Sequence, residues 1–76
     1  MADAINVELA FDPDAEVWFV KHSDVQGLRL EAATVDALIE RLPGALQDLL
    51  NAADGELDVL VEVIAHRSTR VRLEAA

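Results

Sequence analysis

A single amphipathic helix pattern stands among stretches of strict two-residue alternation, and this imbalance constrains the fold of the 76-residue chain more than any other feature. Val35, Leu38, Ile39, Leu42, Leu46, Leu49 and Leu50 recur at three- and four-residue spacing, which gathers them into one apolar stripe. Thr34 precedes the stripe as an N-cap, and Asp36 in the first turn complements the helix dipole. Pro43 removes the hydrogen bond to the Ile39 carbonyl and crowds that turn, at a cost of about 3 kcal/mol or more. The stripe keeps its phase beyond Pro43-Gly44, so the spacing predicts one kinked helix, stopped near Ala53-Asp54-Gly55 by Gly55.

The alternating stretches predict strands. Ile5, Val7, Leu9 and Phe11 alternate with Asn6, Glu8, Ala10 and Asp12, the pattern of a strand with one buried face. Asp12-Pro13-Asp14-Ala15 has the residues of a type I turn. Val17–His22 returns as a second strand, with Trp18, Val20 and His22 on the face opposite Val17 and Phe19. Ser23-Asp24-Val25-Gln26-Gly27 forms the next connection, with Gly27 free to take a positive φ. Leu28–Ala32 reads as a third strand. Leu57, Val59, Val61, Val63 and Ala65 share one face of a fourth, while Leu60 and Ile64 lie on the other among Asp58, Glu62 and His66. The alternation of Arg70, Val71, Arg72 and Leu73 favours continuing this strand over a frayed tail.

The order is therefore β-β-β-α-β. One helix cannot cover both faces of a four-stranded sheet, so the expected fold is an α+β two-layer sandwich with one kinked helix on a small sheet. A strand that follows a helix can join its neighbour in parallel through a right-handed crossover. The length suits one domain over residues 1–76, with an ordered core of about 5–66. A domain of this size buries only about 60% of its unfolded surface. With no cysteine to supply a disulfide or thiolate site, self-association is the expected remedy, and a homodimer is expected. The apolar residues on both faces of the fourth strand fit this, with the helix on one side and a second copy on the other.

The absence of cysteine fits a reducing cytoplasm. The N-terminal residues lack the basic and apolar regions of a signal peptide, and no apolar run is long enough to span a membrane. The net charge is −9, from 15 carboxylates against six lysines and arginines, which argues against a phosphate-backbone footprint and so against DNA binding. The charge is unevenly placed. Residues 1–66 hold fourteen carboxylates against Lys21, Arg29 and Arg41, a net −11, whereas residues 67–76 hold Arg67, Arg70 and Arg72 against Glu74, a net +2. Such a negative body attracts basic partners over roughly a Debye length, about 8 Å at physiological salt.

Strand–turn–strand ending in Ser23-Asp24-Val25-Gln26-Gly27-Leu28, a short strand, and Thr34-Val35-Asp36-Ala37-Leu38 opening a helix resemble the HicB-type antitoxin domain, in particular its short single-domain members. The resemblance covers roughly residues 5–66. Gln26 stands where that family usually has proline, and Ala37 where a glutamate would complete a capping box. The resemblance implies a degenerate RNase H-like fold, frequent dimerisation through the sheet, and neutralisation of a small basic ribonuclease toxin, HicA, by binding. Full-length relatives usually carry a DNA-binding module that is not expected in this sequence.

No catalytic constellation is apparent. RNase H-type chemistry needs carboxylates converging on a divalent metal. Asp12 and Asp14 belong to a turn, Asp36 to a helix start, and Asp24 to a connection, so neither metal nor other cofactor is expected. His22 and His66 have no neighbouring ligand motif. Alternation alone leaves Trp18 either beneath the helix, the favoured placement, or on an interface where aromatic anchors are common. Arg67, Arg70 and Arg72 have three readings: a guard on an edge strand (the plainest), salt bridges to a dimer mate, or contacts to RNA phosphates. The candidate partner or dimer surface is Trp18, Leu60, Ile64, His66, Arg67, Arg70 and Arg72. The expected function is a non-enzymatic, antitoxin-like protein-interaction module; the alternative is a freestanding dimeric structural or regulatory protein without a toxin.

Overall fold

The computed structural model describes residues 4–50 and 59–74. Four strands and one helix follow in the order β1 (Ile5–Asp12), β2 (Val17–Ser23), β3 (Glu31–Ala32), α1 (Val35–Leu50) and β4 (Val61–His66), an α+β arrangement. They form one sheet in the order β3-β2-β1-β4. β2 pairs antiparallel with both β1 and β3, whereas β4 runs parallel to β1 with Ile5 opposite Val61 and Ala10 opposite His66.

Alternation in β1 decides the core. Val7 and Leu9 are fully buried, and with Leu28, Ala32, Leu38, Leu42 and Leu46 they make up the buried cluster. Their neighbours in register, Val20 and Trp18 on β2 and Val61 and Val63 on β4, pack around it half-buried. The opposite face of the sheet carries no helix among the described residues.

α1 begins where the sequence places it. Thr34 Oγ1 accepts from the Ala37 N–H at 3.0 Å and the Thr34 carbonyl accepts from the Leu38 N–H at 3.1 Å, so two donors of the first turn are satisfied. The helix runs unbroken through Pro43 to Leu50. The expected stop at Ala53-Asp54-Gly55 lies outside the described residues. Only Leu38, Leu42 and Leu46 of the predicted stripe are buried, while Ile39, Leu49 and Leu50 are exposed. The helix approaches β2 and β3 most closely, so one row of leucines at four-residue spacing suffices to fill the contact.

Three expectations need correction in the strands. The first hairpin is wider than a four-residue turn: the Glu16 N–H donates to the Asp12 carbonyl at 2.7 Å, and Glu16 adopts φ 57°. Asp12 Oδ1 braces the loop by accepting from the Asp14 and Ala15 N–H groups at 3.0 and 3.3 Å. The third strand shrinks from Leu28–Ala32 to Glu31–Ala32, because Leu28 uses its N–H to close a turn onto the Val25 carbonyl around Gly27, at φ 85°. Of the lost residues, Leu30 still accepts from the Val20 N–H, at 3.3 Å.

β4 begins at Val61 rather than Leu57 and stops at His66. Leu57 and Asp58 lie outside the described residues, and Val59 and Leu60 precede the strand, although the Leu60 carbonyl still accepts from the Ile5 N–H at 2.9 Å. The continuation through Val71 and Leu73 does not form. Its partner β1 has only two residues left beyond the Ala10–His66 pair before the hairpin, and Arg67 lays its guanidinium over the Phe11 ring, 3.9 Å from the centroid.

Candidate functional site

The face of the sheet away from α1 is the candidate interaction surface. Register places Glu8, Ala10 and Asp12 of β1 on it, beside Phe19 and Val17 of β2, Glu31 of β3, and Glu62, Ile64 and His66 of β4. An apolar band formed by Phe19, Ala10 and Ile64 is thus set among four carboxylates. His66 Nε2 lies 3.3 Å from Glu8 Oε1, an ion pair whenever the imidazole is protonated.

A bulge in the hairpin alters this face. Glu8 pairs with His22 but Leu9 pairs with Val20, so Lys21 is an extra residue in β2. Simple alternation puts His22 on the same face as Trp18 and Val20. The bulge moves it to the outer face opposite Glu8, where it is exposed. Both histidines therefore flank Glu8, one from each neighbouring strand. Among the described residues no three histidine, cysteine, aspartate or glutamate side chains converge as a metal set.

The seven residues of the expected surface separate into three groups. Leu60, Ile64 and His66 follow the outer-face phase of β4. Trp18 lies on the helix side, half-buried against the core and in register with Ala32, because its partner in β1 is the core-facing Phe11. Its ring meets Phe11 edge to face, with centroids 5.4 Å apart at 61°, and Arg67 covers the same Phe11. Arg67, Phe11 and Trp18 thus form a stack at the hairpin end of the sheet, with Trp18 the member packed on the core. Arg70 and Arg72 stand apart on the exposed segment after β4.

The turn that carries the family resemblance has a structural task. Asp24 Oδ2 accepts from the Asn6 N–H at 2.8 Å and from Asn6 Nδ2 at 3.2 Å, and the Asp24 N–H returns a bond to the Asn6 carbonyl at 3.1 Å. Ser23 Oγ accepts from the Val25 N–H at 3.0 Å. Asp24 thereby ties the β2–β3 connection to the start of β1, while Ser23 braces the connection itself.

Sequence reasoning missed one convergence. Lys21, Arg29 and Arg41, the three cations of the acidic body, all line an open cleft of about 820 Å³ at the β3 edge, over Phe19, Val20, Leu28 and Leu30. Asp12 and Glu31 share it, and Arg41 Nη1 donates to the Glu31 carbonyl at 3.1 Å. The three lie on β2, on the connection before β3 and on α1, and only the tertiary fold brings them to one cleft. Among the described residues no helix is long and apolar enough to cross a membrane.

The model of a family described as a domain of unknown function, DUF1902, matches residues 4–75. Among solved structures, a hypothetical protein from the extremely thermophilic bacterium Thermus thermophilus is similar, with 28% identity and a TM-score of 0.64 over 93% of this chain and 100% of the other. No curated protein matches the sequence.

Proposed function

Since the chain belongs to the DUF1902 family, we propose that this member is a non-enzymatic protein-interaction module of HicB-like type, binding a small basic protein of the HicA ribonuclease class. The observation that carries the reading is the outer face, which no helix covers among the described residues and where Phe19, Ala10 and Ile64 offer apolar contact among Glu8, Asp12, Glu31 and Glu62. Apolar centre and charged rim is the anatomy of a non-obligate interface, and the acidic rim selects a basic partner and accelerates its encounter. The element order and the turn from Ser23 to Leu28 support the HicB-like, degenerate RNase H-like reading of the fold.

The test is co-expression with a small basic HicA-like protein, ideally one encoded beside this gene, followed by co-purification and a toxicity-rescue assay. Binding that weakens in Glu8→Lys and Glu31→Lys supports the reading. No binding to any such protein, or binding indifferent to both substitutions, defeats it. The concentration of exposed apolar residues around β4 favours a second reading, a freestanding dimeric structural or regulatory protein.

A further inference from the structure

We propose that residues 68–74 form an arm exchanged between two copies of the chain, each arm adding as a fifth strand to the free edge of the other copy's β4. The two edges of the sheet are managed differently. β3 is two residues long, and a strand so short offers little for pairing. β4 exposes six residues, Val-Glu-Val-Ile-Ala-His, without proline, lysine or a bulge, and among the described residues nothing pairs with its outer side. An edge of this kind recruits another strand.

The arm has the complementary properties. Among the described residues, every one from 64 to 74 is exposed, and residues 67–74 make no backbone hydrogen bond. Val71 and Leu73 are 67% and 86% exposed, the largest values among the exposed large hydrophobics. The radius of gyration is 15.7 Å, against about 11 Å for a compact domain of this length. Among the described residues of its own chain, Val71 and Leu73 thus find no surface that covers them.

Phase and charge specify the site. A strand added to a sheet presents its side chains in two rows. Val71 and Leu73 match the helix-side row of Val61, Val63 and Ala65, where α1 leaves β4 only partly covered. Arg70 and Arg72 then fall on the outer face beside Glu62, with Glu8 one strand further in. The charges agree: residues 68–74 hold Arg70 and Arg72 against Glu74, a net +1, and meet a body of residues 1–66 with a net −11. The arm does not serve its own β4: Arg67 is held on Phe11, and among the described residues none of 68–74 pairs with β4. Folding back would need a tight turn at Ser68-Thr69, which lacks the glycine, asparagine or aspartate that such turns favour. Reciprocal exchange about a two-fold axis closes the assembly at two copies.

The inference does not depend on the partner reading: a binding assay reports on the outer face, whereas molecular mass reports on the β4 edge, and either can fail alone. Light scattering and sedimentation of the full chain over a concentration series should give twice the 8.3 kDa chain mass. Val71 and Leu73 lie outside the core cluster and the residues packed against it, so Val71→Asp with Leu73→Asp should leave the circular dichroism spectrum intact and return the mass to one chain. Arg70→Glu with Arg72→Glu should weaken the dimer roughly tenfold or more. Amide exchange should show Val61–His66 protected in the wild type and not in the aspartate variant. A monomeric wild type, or a dimer that survives the aspartate variant, overturns the proposal.

Discussion

Gly44→Ala tests whether α1 is one helix through its least favourable dipeptide. Pro43 and Gly44 sit in the middle of the sixteen-residue helix, and both are exposed. A Cβ added at Gly44 meets no atom within 4 Å, and Gly44 is not among the positive-φ residues, so alanine meets neither clash nor strain. The gain is then the full propensity difference, about 1 kcal/mol. For a domain of this size that raises Tm by about 4–8 °C. Pro43→Ala restores an N–H able to reach the Ile39 carbonyl, with a gain of up to about 3 kcal/mol. The two sites are adjacent, so the double variant need not equal the sum. Urea denaturation followed by far-ultraviolet circular dichroism, at one fixed protein concentration, should show a raised midpoint with an unchanged slope. A Gly44→Ala variant no more stable than the wild type would refute the reasoning, for it would mean that the backbone at residue 44 is not helical.

Three further outcomes are expected. Glu16→Gly relieves a left-handed residue that costs about 1–2 kcal/mol in an L-amino acid; after glycine's greater unfolded-state entropy is deducted, a thermal melt should show a gain of about 0.5–1 kcal/mol. Asp24→Ala removes both bonds to Asn6 and should cost about 1–2 kcal/mol by chemical denaturation, whereas Asp24→Asn should recover part of that loss. Leu38→Ala empties a fully buried site between α1 and the sheet and should cost about 2–5 kcal/mol, a large share of the stability of so small a domain, visible as a collapse of the urea midpoint.

The fold was legible wherever a residue's neighbours in sequence also decide its environment. Val7 and Leu9 are buried because alternation in β1 is unbroken, and Thr34 caps because its hydroxyl reaches only the turn that follows it. The failures arise where distant partners decide. The bulge at Lys21 reverses the phase of His22, and nothing in Val17–His22 announces it, since each residue there suits either face. β4 stops at His66 with only Phe11 and Asp12 of β1 left beyond it, a limit set by the turn after Asp12, far away in sequence. Trp18 was readable as an aromatic with two candidate faces, and only its register opposite Phe11 and Ala32 assigns it to the helix side. The cleft of Lys21, Arg29 and Arg41 has no local signal at all.

The parallel pairing of β1 with β4 carries a kinetic consequence. β1 is an inner strand of the finished sheet, yet Ile5, near one end of the chain, waits for Val61, near the other. The β1–β2 hairpin closes locally and quickly, whereas the β1–β4 ladder must first overcome the loop entropy of the intervening chain. During synthesis, β1, β2, β3 and α1 are all made before β4, so the nascent domain carries β1 with one side unpaired until β4 arrives. The slow phase of refolding should therefore be the docking of β4. Substitutions in Val61–His66 that leave the folding rate unchanged while accelerating unfolding would place that docking after the rate-limiting barrier.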